Sequence, residues 1–242
     1  MGLQPHIDSY SIVRDDDAAL AAQACALISR KLKAAIEMRG AASLMVSGGS
    51  SPKPLFAALA QEDLAWDKVT VSLVDERWVE PSQPGSNERF IKDILLNGNA
   101  AAARFISLKS RHDTVKEGLA AIEARLAIVP APFDICVMGM GTDSHTASWF
   151  PNSAGRAEAM AESNGARFAY VDARGCPGAG AFPDRITLTL SAVMGARDII
   201  LFIPGVEKAG VFNAAALGDT LRAPVSVLKA AGNRLSVFTG KL

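Results

Sequence analysis

Three short segments of this chain gather residue types that could do chemistry. The richest is Phe133–Pro151, where Gly139, Gly141, Asp143 and His145 follow the apolar run Phe133–Met138. A histidine in a glycine-opened loop at the end of a strand is poised to act as a general base near neutral pH. A carboxylate two residues earlier could orient it or raise its basicity. Read alone, the same histidine could equally be a loop hydrogen-bonder. Gly139 and Gly141 also open a dinucleotide fingerprint, but Ser144 stands at the third glycine and Pro151 cuts off the helix that a pyrophosphate would need.

The second segment is Ser47-Gly48-Gly49-Ser50-Ser51-Pro52, between an apolar strand and a helical pattern. Glycines let backbone N–H groups approach an anion closely, the following helix start adds partial positive charge, and Ser50 or Ser51 offers a hydroxyl. The segment fits a phosphate cradle, and it fits equally a tight turn that requires glycine and nothing more. It is not a nucleotide P-loop, because GxxxxGK[ST] is absent. The third segment, Asp75-Glu76-Arg77-Trp78, closes the apolar run Val69–Val74 and is followed by Ser86-Asn87-Glu88-Arg89. Three charges at a strand end belong at the mouth of a sheet, where Arg77 could grip a phosphate bidentately; the other reading is a surface salt-bridge cluster.

The rest of the chain offers less. Cys25 and Cys136 read as small core residues, and Cys176 lies in a Gly/Pro-rich stretch without an evident base. His6 and His112 have no chemical context and read as structural. No GxSxG elbow supports a serine hydrolase, and no HExxH supports a metal site; no metal and no cofactor are expected.

The elements that must position these loops alternate. Asp15–Arg39 is an acid-capped amphipathic helix ending at Gly40, and Ser43–Ser47 is a strand leading into a helix over Pro52–Ala60. Strands follow at Val69–Val74, Phe133–Met138, Arg167–Val171, Ile186–Leu190, Ile199–Ile203 and Leu235–Phe238, with helices at Asn87–Leu96, Asp113–Ile128 and Val206–Leu217. Strands apolar on both faces alternating with helices imply an α/β fold around a mostly parallel sheet. No repeat or linker divides the chain, so residues 1–242 are expected to form one domain, with Gly175–Pro183 its most mobile loop. In such a sheet ligands bind beyond the carboxyl ends of the strands, where all three segments lie.

Composition narrows the partners. With 242 residues and 49% hydrophobic content the chain can bury roughly 70% or more of its unfolded surface, which excludes disorder. Lys plus Arg number 25 and Asp plus Glu 25, so no basic excess exists to neutralise a nucleic acid or an anionic membrane. A small-molecule partner is expected. Three scattered cysteines point to reduced thiols in the cytoplasm; Met1–Ser11 lacks a cationic start followed by an apolar run, and no stretch approaches the ~20 apolar residues of a membrane span. The expected assembly is a monomer or a small homo-oligomer.

Together, Ser-Gly-Gly-Ser-Ser-Pro, Val-Asp-Glu-Arg-Trp-Val with its Ser-Asn-Glu-Arg, and Gly-Met-Gly-Thr-Asp-Ser-His-Thr-Ala-Ser-Trp-Phe-Pro resemble the signature segments of the 6-phosphogluconolactonase family. Order and spacing match, and Asp184-Arg185-Ile-Thr-Leu-Thr with Gly205-Val-Glu-Lys208-Ala extends the likeness over most of the chain. The resemblance implies hydrolysis of 6-phosphoglucono-δ-lactone in the oxidative pentose phosphate pathway. It also implies a single three-layer αβα domain with a Rossmann-like sheet, shared with glucosamine-6-phosphate deaminase and ribose-5-phosphate isomerase. It assigns His145 as the base that deprotonates the attacking water and Asp143 as its orienting partner, with Asp75 near the sugar ring. Gly48, Gly49, Ser50, Arg77 and Lys208 take the phosphate, and Arg185 is a weaker candidate for the same task.

Two positions depart from the family pattern. Ser144 replaces the usual glycine between acid and histidine; if that position needs φ > 0, strain of ~1 kcal/mol or more could shift His145. The family's C-terminal tryptophan and aspartate are missing from Leu235–Leu242. A deaminase/isomerase shares the loops but carries a glutamate where this chain has Phe150, and an apolar residue cannot shuttle a proton. A sugar-phosphate sensor without catalysis is the remaining alternative; such sensors carry a DNA-binding module, for which the chain leaves no room.

Overall fold

Parallel pairing dominates the computed structural model, which describes residues 11–14, 16–216 and 219–241. Its strands are β1 (Ser11–Arg14), β2 (Ala42–Val46), β3 (Val69–Leu73), β4 (Asp75–Arg77), β5 (Arg104–Phe105), β6 (Ile135–Met138), β7 (Phe168–Asp172), β8 (Asp184–Leu188), β9 (Asp198–Ile203) and β10 (Leu235–Gly240). Its α-helices are α1 (Asp17–Arg39), α2 (Lys53–Leu59), α3 (Asn87–Ile94), α4 (Val115–Leu126), α5 (Arg156–Ala159), α6 (Leu190–Gly195) and α7 (Val206–Ala214). Seven strands form one sheet in the order β1-β10-β9-β6-β2-β3-β5, parallel throughout, with helices layered on it in the expected three-layer α/β arrangement.

Local chemistry explains the element ends. Asp16 caps α1 by accepting from the Ala18 N–H (2.9 Å), and Gly40 ends the helix at φ 77°, where a left-handed residue is required. Thr114 and Glu117 form a capping box on α4. Every residue of β2 and β6 is buried, as expected for central strands covered on both faces. One face of α1, from Leu20 through Leu32, joins the core, and α1 lies across β1, β2, β6 and β10.

The register assembles the site. Val46 of β2 pairs with Leu73 of β3 on one side and Val137 of β6 on the other. The three loops that follow must therefore emerge together at one edge. From β2 the chain builds outward through β3 and β5 and then returns to the other side with β6, so the strand order reverses between β2 and β6. That switch point opens a crevice at the carboxyl ends.

Two expectations need correction. The strands read at 167–171 and 186–190 do not join the parallel sheet; β4, β8 and β7 form a separate antiparallel sheet in that order. The reason is local, since β7 and β8 are joined by a loop over 173–183 without a crossover helix, and such a link favours antiparallel pairing. Leu190 starts α6 instead of ending a strand, because Thr189 caps that helix by accepting from the Ala192 N–H (3.3 Å). The short β1, β4 and β5 carry too few residues to show a period. His6, Asp15 and Leu217 lie outside the described residues.

Candidate active site

A cavity of about 220 Å³ opens at the switch point, lined by residues of all three loops together with Arg185, Lys208 and Gly178. Its walls hold every candidate catalytic or phosphate-binding residue named from the sequence except Asp143, which stands directly behind the wall residue His145.

The His145 loop is built around its own backbone. The Gly141 N–H donates to the His145 carbonyl (2.9 Å), and Thr146 Oγ1 donates to the Gly139 carbonyl (2.7 Å). Asp143 Oδ1 lies 2.5 Å from His145 Nδ1. A carboxylate there fixes the proton on Nδ1 and leaves Nε2 as the free lone pair of the neutral ring. Burial works to raise the Asp143 pKa, but the hydrogen bonds and charge of His145 outweigh it and hold the carboxyl below its ordinary value. Phe150, fully buried, stacks on the imidazole at 4.2 Å between centroids and 31° between planes. Gly178 covers the pair from the 173–183 loop: a Cβ there would stand 2.6 Å from Asp143 Oδ2 and 3.0 Å from His145 Nδ1.

Ser144 stands at φ 66°, the left-handed conformation for which glycine would be the unstrained choice. Its hydroxyl faces the Asp143 carbonyl (2.5 Å) and the Arg222 carbonyl (3.0 Å), while its own carbonyl accepts from the Val225 N–H (3.1 Å). These bonds tie the loop to residues 222–225 and offset the strain, so the His145–Asp143 pair forms with serine in place.

The Ser47–Pro52 turn forms the opposite wall. Gly49 adopts φ 95°, and Gly48 admits the Asn87 side chain so closely that a Cβ would lie 2.0 Å from Asn87 Oδ1. Lys208 Nζ donates to Ser51 Oγ (2.8 Å), and burial lowers the Lys208 pKa from the ordinary lysine value. Ser50, Ser51 and Lys208 all face the cavity, as an anion subsite requires.

The Asp75–Arg77 segment forms the third side, because the chain leaves the large sheet at Val74 and enters the small one. The Val74 N–H donates to Val46 and its carbonyl accepts from the Leu188 N–H. Pairing Arg77 with Arg185 across β4 and β8 brings two guanidinium groups to the cavity. Arg77 donates to the Gly85 carbonyl (2.5 Å) through Nη1, while its Nε is buried without a hydrogen-bond partner among the described residues. Arg185 is 3% exposed and already committed: Nε donates to Phe182 (2.6 Å), Nη2 to Ala179 (2.9 Å), and Nη1 lies 3.6 Å from Asp75 Oδ2. Burial pulls its pKa down to about 10, with the Asp75 charge acting against that. Asp75 also accepts from Ser148 Oγ (2.6 Å).

Glu76 turns inward and is no part of a surface salt-bridge cluster. Fully buried, its carboxylate accepts from the Arg77, Asn87 and Glu88 N–H groups and from Ser86 Oγ, at 2.7–3.0 Å. Burial pushes its pKa up to about 7 against those four donors. It locks the start of α3 to β4, and Asn87 Nδ2 then donates to the Asp75 carbonyl (2.9 Å). Asn87, Ser148 and the hub role of Glu76 escaped sequence reasoning; the Ser-Asn-Glu run after the acidic segment was the available signal.

Among the described residues, no three His, Cys, Asp or Glu side chains converge as metal ligands, and no helix is long and apolar enough to cross a membrane. Cys25 and Cys136 are buried, and burial raises both thiol pKa values.

Residues 15–237 match the family model described as glucosamine-6-phosphate isomerases/6-phosphogluconolactonase. A 6-phosphogluconolactonase of Rhizobium meliloti is 40% identical over 213 residues, covering 87% of this chain and 90% of that protein. The crystal structure of a 6-phosphogluconolactonase from Shewanella baltica superposes with a TM-score of 0.90 at 34% identity, covering 97% of this chain and 99% of that one. A monomeric glucosamine-6-phosphate deaminase of the NagB superfamily superposes at 0.75 with 17% identity over 96% of this chain and 98% of its own, a likeness of fold alone.

Proposed function

The chain belongs to the glucosamine-6-phosphate isomerase/6-phosphogluconolactonase family, and on that premise we propose that it hydrolyses 6-phosphoglucono-δ-lactone to 6-phosphogluconate with His145 as general base. The observation that carries this reading is the convergence on one cavity of the His145–Asp143 pair and an anion subsite of Gly48–Ser51, Arg77 and Lys208.

The roles follow from what each group has free. Asp143 holds the Nδ1 proton, so His145 Nε2 accepts a proton from water as the oxygen attacks the lactone carbon. The imidazolium then returns that proton to the departing ring oxygen, and the carboxylic acid product ionises. Lys208, the Gly48–Ser51 turn and the Arg77 guanidinium anchor the phosphate, and Arg185 holds Asp75 beside the sugar ring. A δ-lactone already opens slowly in water, so a fixed base and an anchored substrate supply the needed acceleration. The deaminase alternative requires a second proton-transfer group beside the histidine, and there Phe150 stacks instead. Every group invoked comes from one chain, and we place the reaction in the cytoplasm, where free thiols such as Cys25 and Cys176 persist.

The test follows the decay of freshly generated lactone with no protein, with wild type and with His145→Ala, beside an unphosphorylated gluconolactone control. Acceleration by wild type alone, confined to the phosphorylated lactone, supports the reading. No acceleration with 6-phosphogluconate still bound would instead make the chain a sugar-phosphate sensor.

A further inference from the structure

We propose that Ser47 is a catalytic residue whose hydroxyl donates a hydrogen bond to the lactone carbonyl oxygen as negative charge develops on it; this rests on the lactone-hydrolysis reading above.

Ser47 is 6% exposed, lines the cavity, and its Oγ is buried without a hydrogen-bond partner among the described residues. A buried hydroxyl left unpaired is costly, so one facing a cavity marks a contact that the occupant completes. Arg77 Nε is the other unpaired buried donor lining this cavity. The two differ in kind. Arg77 carries a full charge suited to phosphate, whereas a neutral hydroxyl discriminates little in favour of a resting carbonyl and gains strength as that oxygen becomes anionic.

Position assigns Ser47 to the lactone end. Its N–H donates to the Val137 carbonyl (3.0 Å), which places it on the β6 side of β2. Its Oγ lies 3.5 Å from where a Gly139 Cβ would be, an ordinary contact distance, so bare backbone faces the hydroxyl there. Gly139 begins the loop that carries His145, and its carbonyl is already bonded by Thr146. The proposed phosphate-binding side chains Ser51, further along the turn, and Lys208 are paired with each other. Of the cavity's other side chains on this side, Asp75 accepts from Ser148, and Arg185 spends its Nε and one Nη2 proton on carbonyls and turns Nη1 toward Asp75. Ser47 therefore brings a buried, uncommitted hydroxyl proton to this side of the cavity. In the step, the water oxygen bonds to the lactone carbon, the C=O pair moves to oxygen under the Ser47 O–H, and His145 takes the water proton. The oxyanion then collapses, the ring C–O bond breaks, and His145 returns the proton to the ring oxygen.

The experiment compares wild type, Ser47→Ala and Ser47→Cys for lactone kcat and KM, with 6-phosphogluconate affinity measured by calorimetry on the same preparations. Removing one such donor is expected to lower kcat by about 10²-fold, with KM and product affinity within about threefold, and the weakly donating thiol of Ser47→Cys falling between. Product binding shows that each variant is folded. Ser47→Ala with wild-type kcat, or with its loss confined to KM, would overturn the assignment. Wild type that leaves the lactone unchanged would overturn the reaction itself, a result distinct from an active wild type matched by Ser47→Ala.

Discussion

The Phe150 ring lies against the His145 imidazole at 4.2 Å between centroids, and the Arg185 guanidinium sits 5.3 Å from the same Phe150 ring. The imidazole is thus gripped twice, by Asp143 through its edge and by Phe150 through its face. Phe150→Leu keeps an apolar group but gives up the flat support. Its expected effect is a fall in kcat of about tenfold with KM little changed, because the proposed phosphate anchor lies on the opposite wall. Steady-state kinetics decide the point; a variant altered in KM alone would contradict this role.

Lys208 is expected to set an alkaline limit on product binding. Burial lowers its pKa, so it loses its charge at less alkaline pH than an ordinary lysine would. Affinity for a phosphate dianion depends on the charged form. It should be level near neutrality and fall as pH rises through that lowered value. Lys208→Met should bind 6-phosphogluconate roughly tenfold or more weakly and lose this alkaline fall. Calorimetric titration from about pH 7 to about pH 10 tests both parts; an unchanged alkaline fall in the variant would clear Lys208 of the role.

Ser144 trades backbone strain against two contacts of its hydroxyl, to the Asp143 and Arg222 carbonyls. Ser144→Gly removes the strain and the bonds together and should leave stability within about 1 kcal/mol of wild type. Ser144→Ala keeps the strain while losing the bonds, so it should cost about 1–2 kcal/mol. Urea unfolding of the three proteins gives the order, and an alanine variant more stable than the glycine one would refute the account.

Glu76 has both carboxylate oxygens filled by donors, each accepting two hydrogen bonds. In Glu76→Gln the amide nitrogen must face two of those donors; the Ser86 hydroxyl can turn to accept from it, but a backbone N–H cannot, so at least one N–H is left unpaired. Loss of about 1–3 kcal/mol is expected, with kcat falling as well because Asn87 and Asp75 depend on the same joint. Thermal melts beside lactone kinetics measure the two effects; a variant as stable as wild type would mean that the joint holds without the carboxylate.

The sequence by itself determined the α/β class, the three loops and the His145–Asp143 pairing. Each of these is local: a period along a few residues, a glycine turn, or an acid two positions from a histidine. The same locality explains the misreadings. The outward-charged look of Asp75–Arg77 concealed that Glu76 points inward to four donors, since three consecutive charges carry no statement of which side faces the core. Likewise β7 and β8 read as further parallel strands, because a strand's composition does not name its partner. Tertiary structure alone decided that Arg185 lies across from Arg77 and holds Asp75, that Phe150 backs the imidazole, and that Ser144 borrows the Arg222 carbonyl from 78 residues away. Those contacts join residues far apart in the chain, and their energies exist only once the sheet register has brought the loops to one edge.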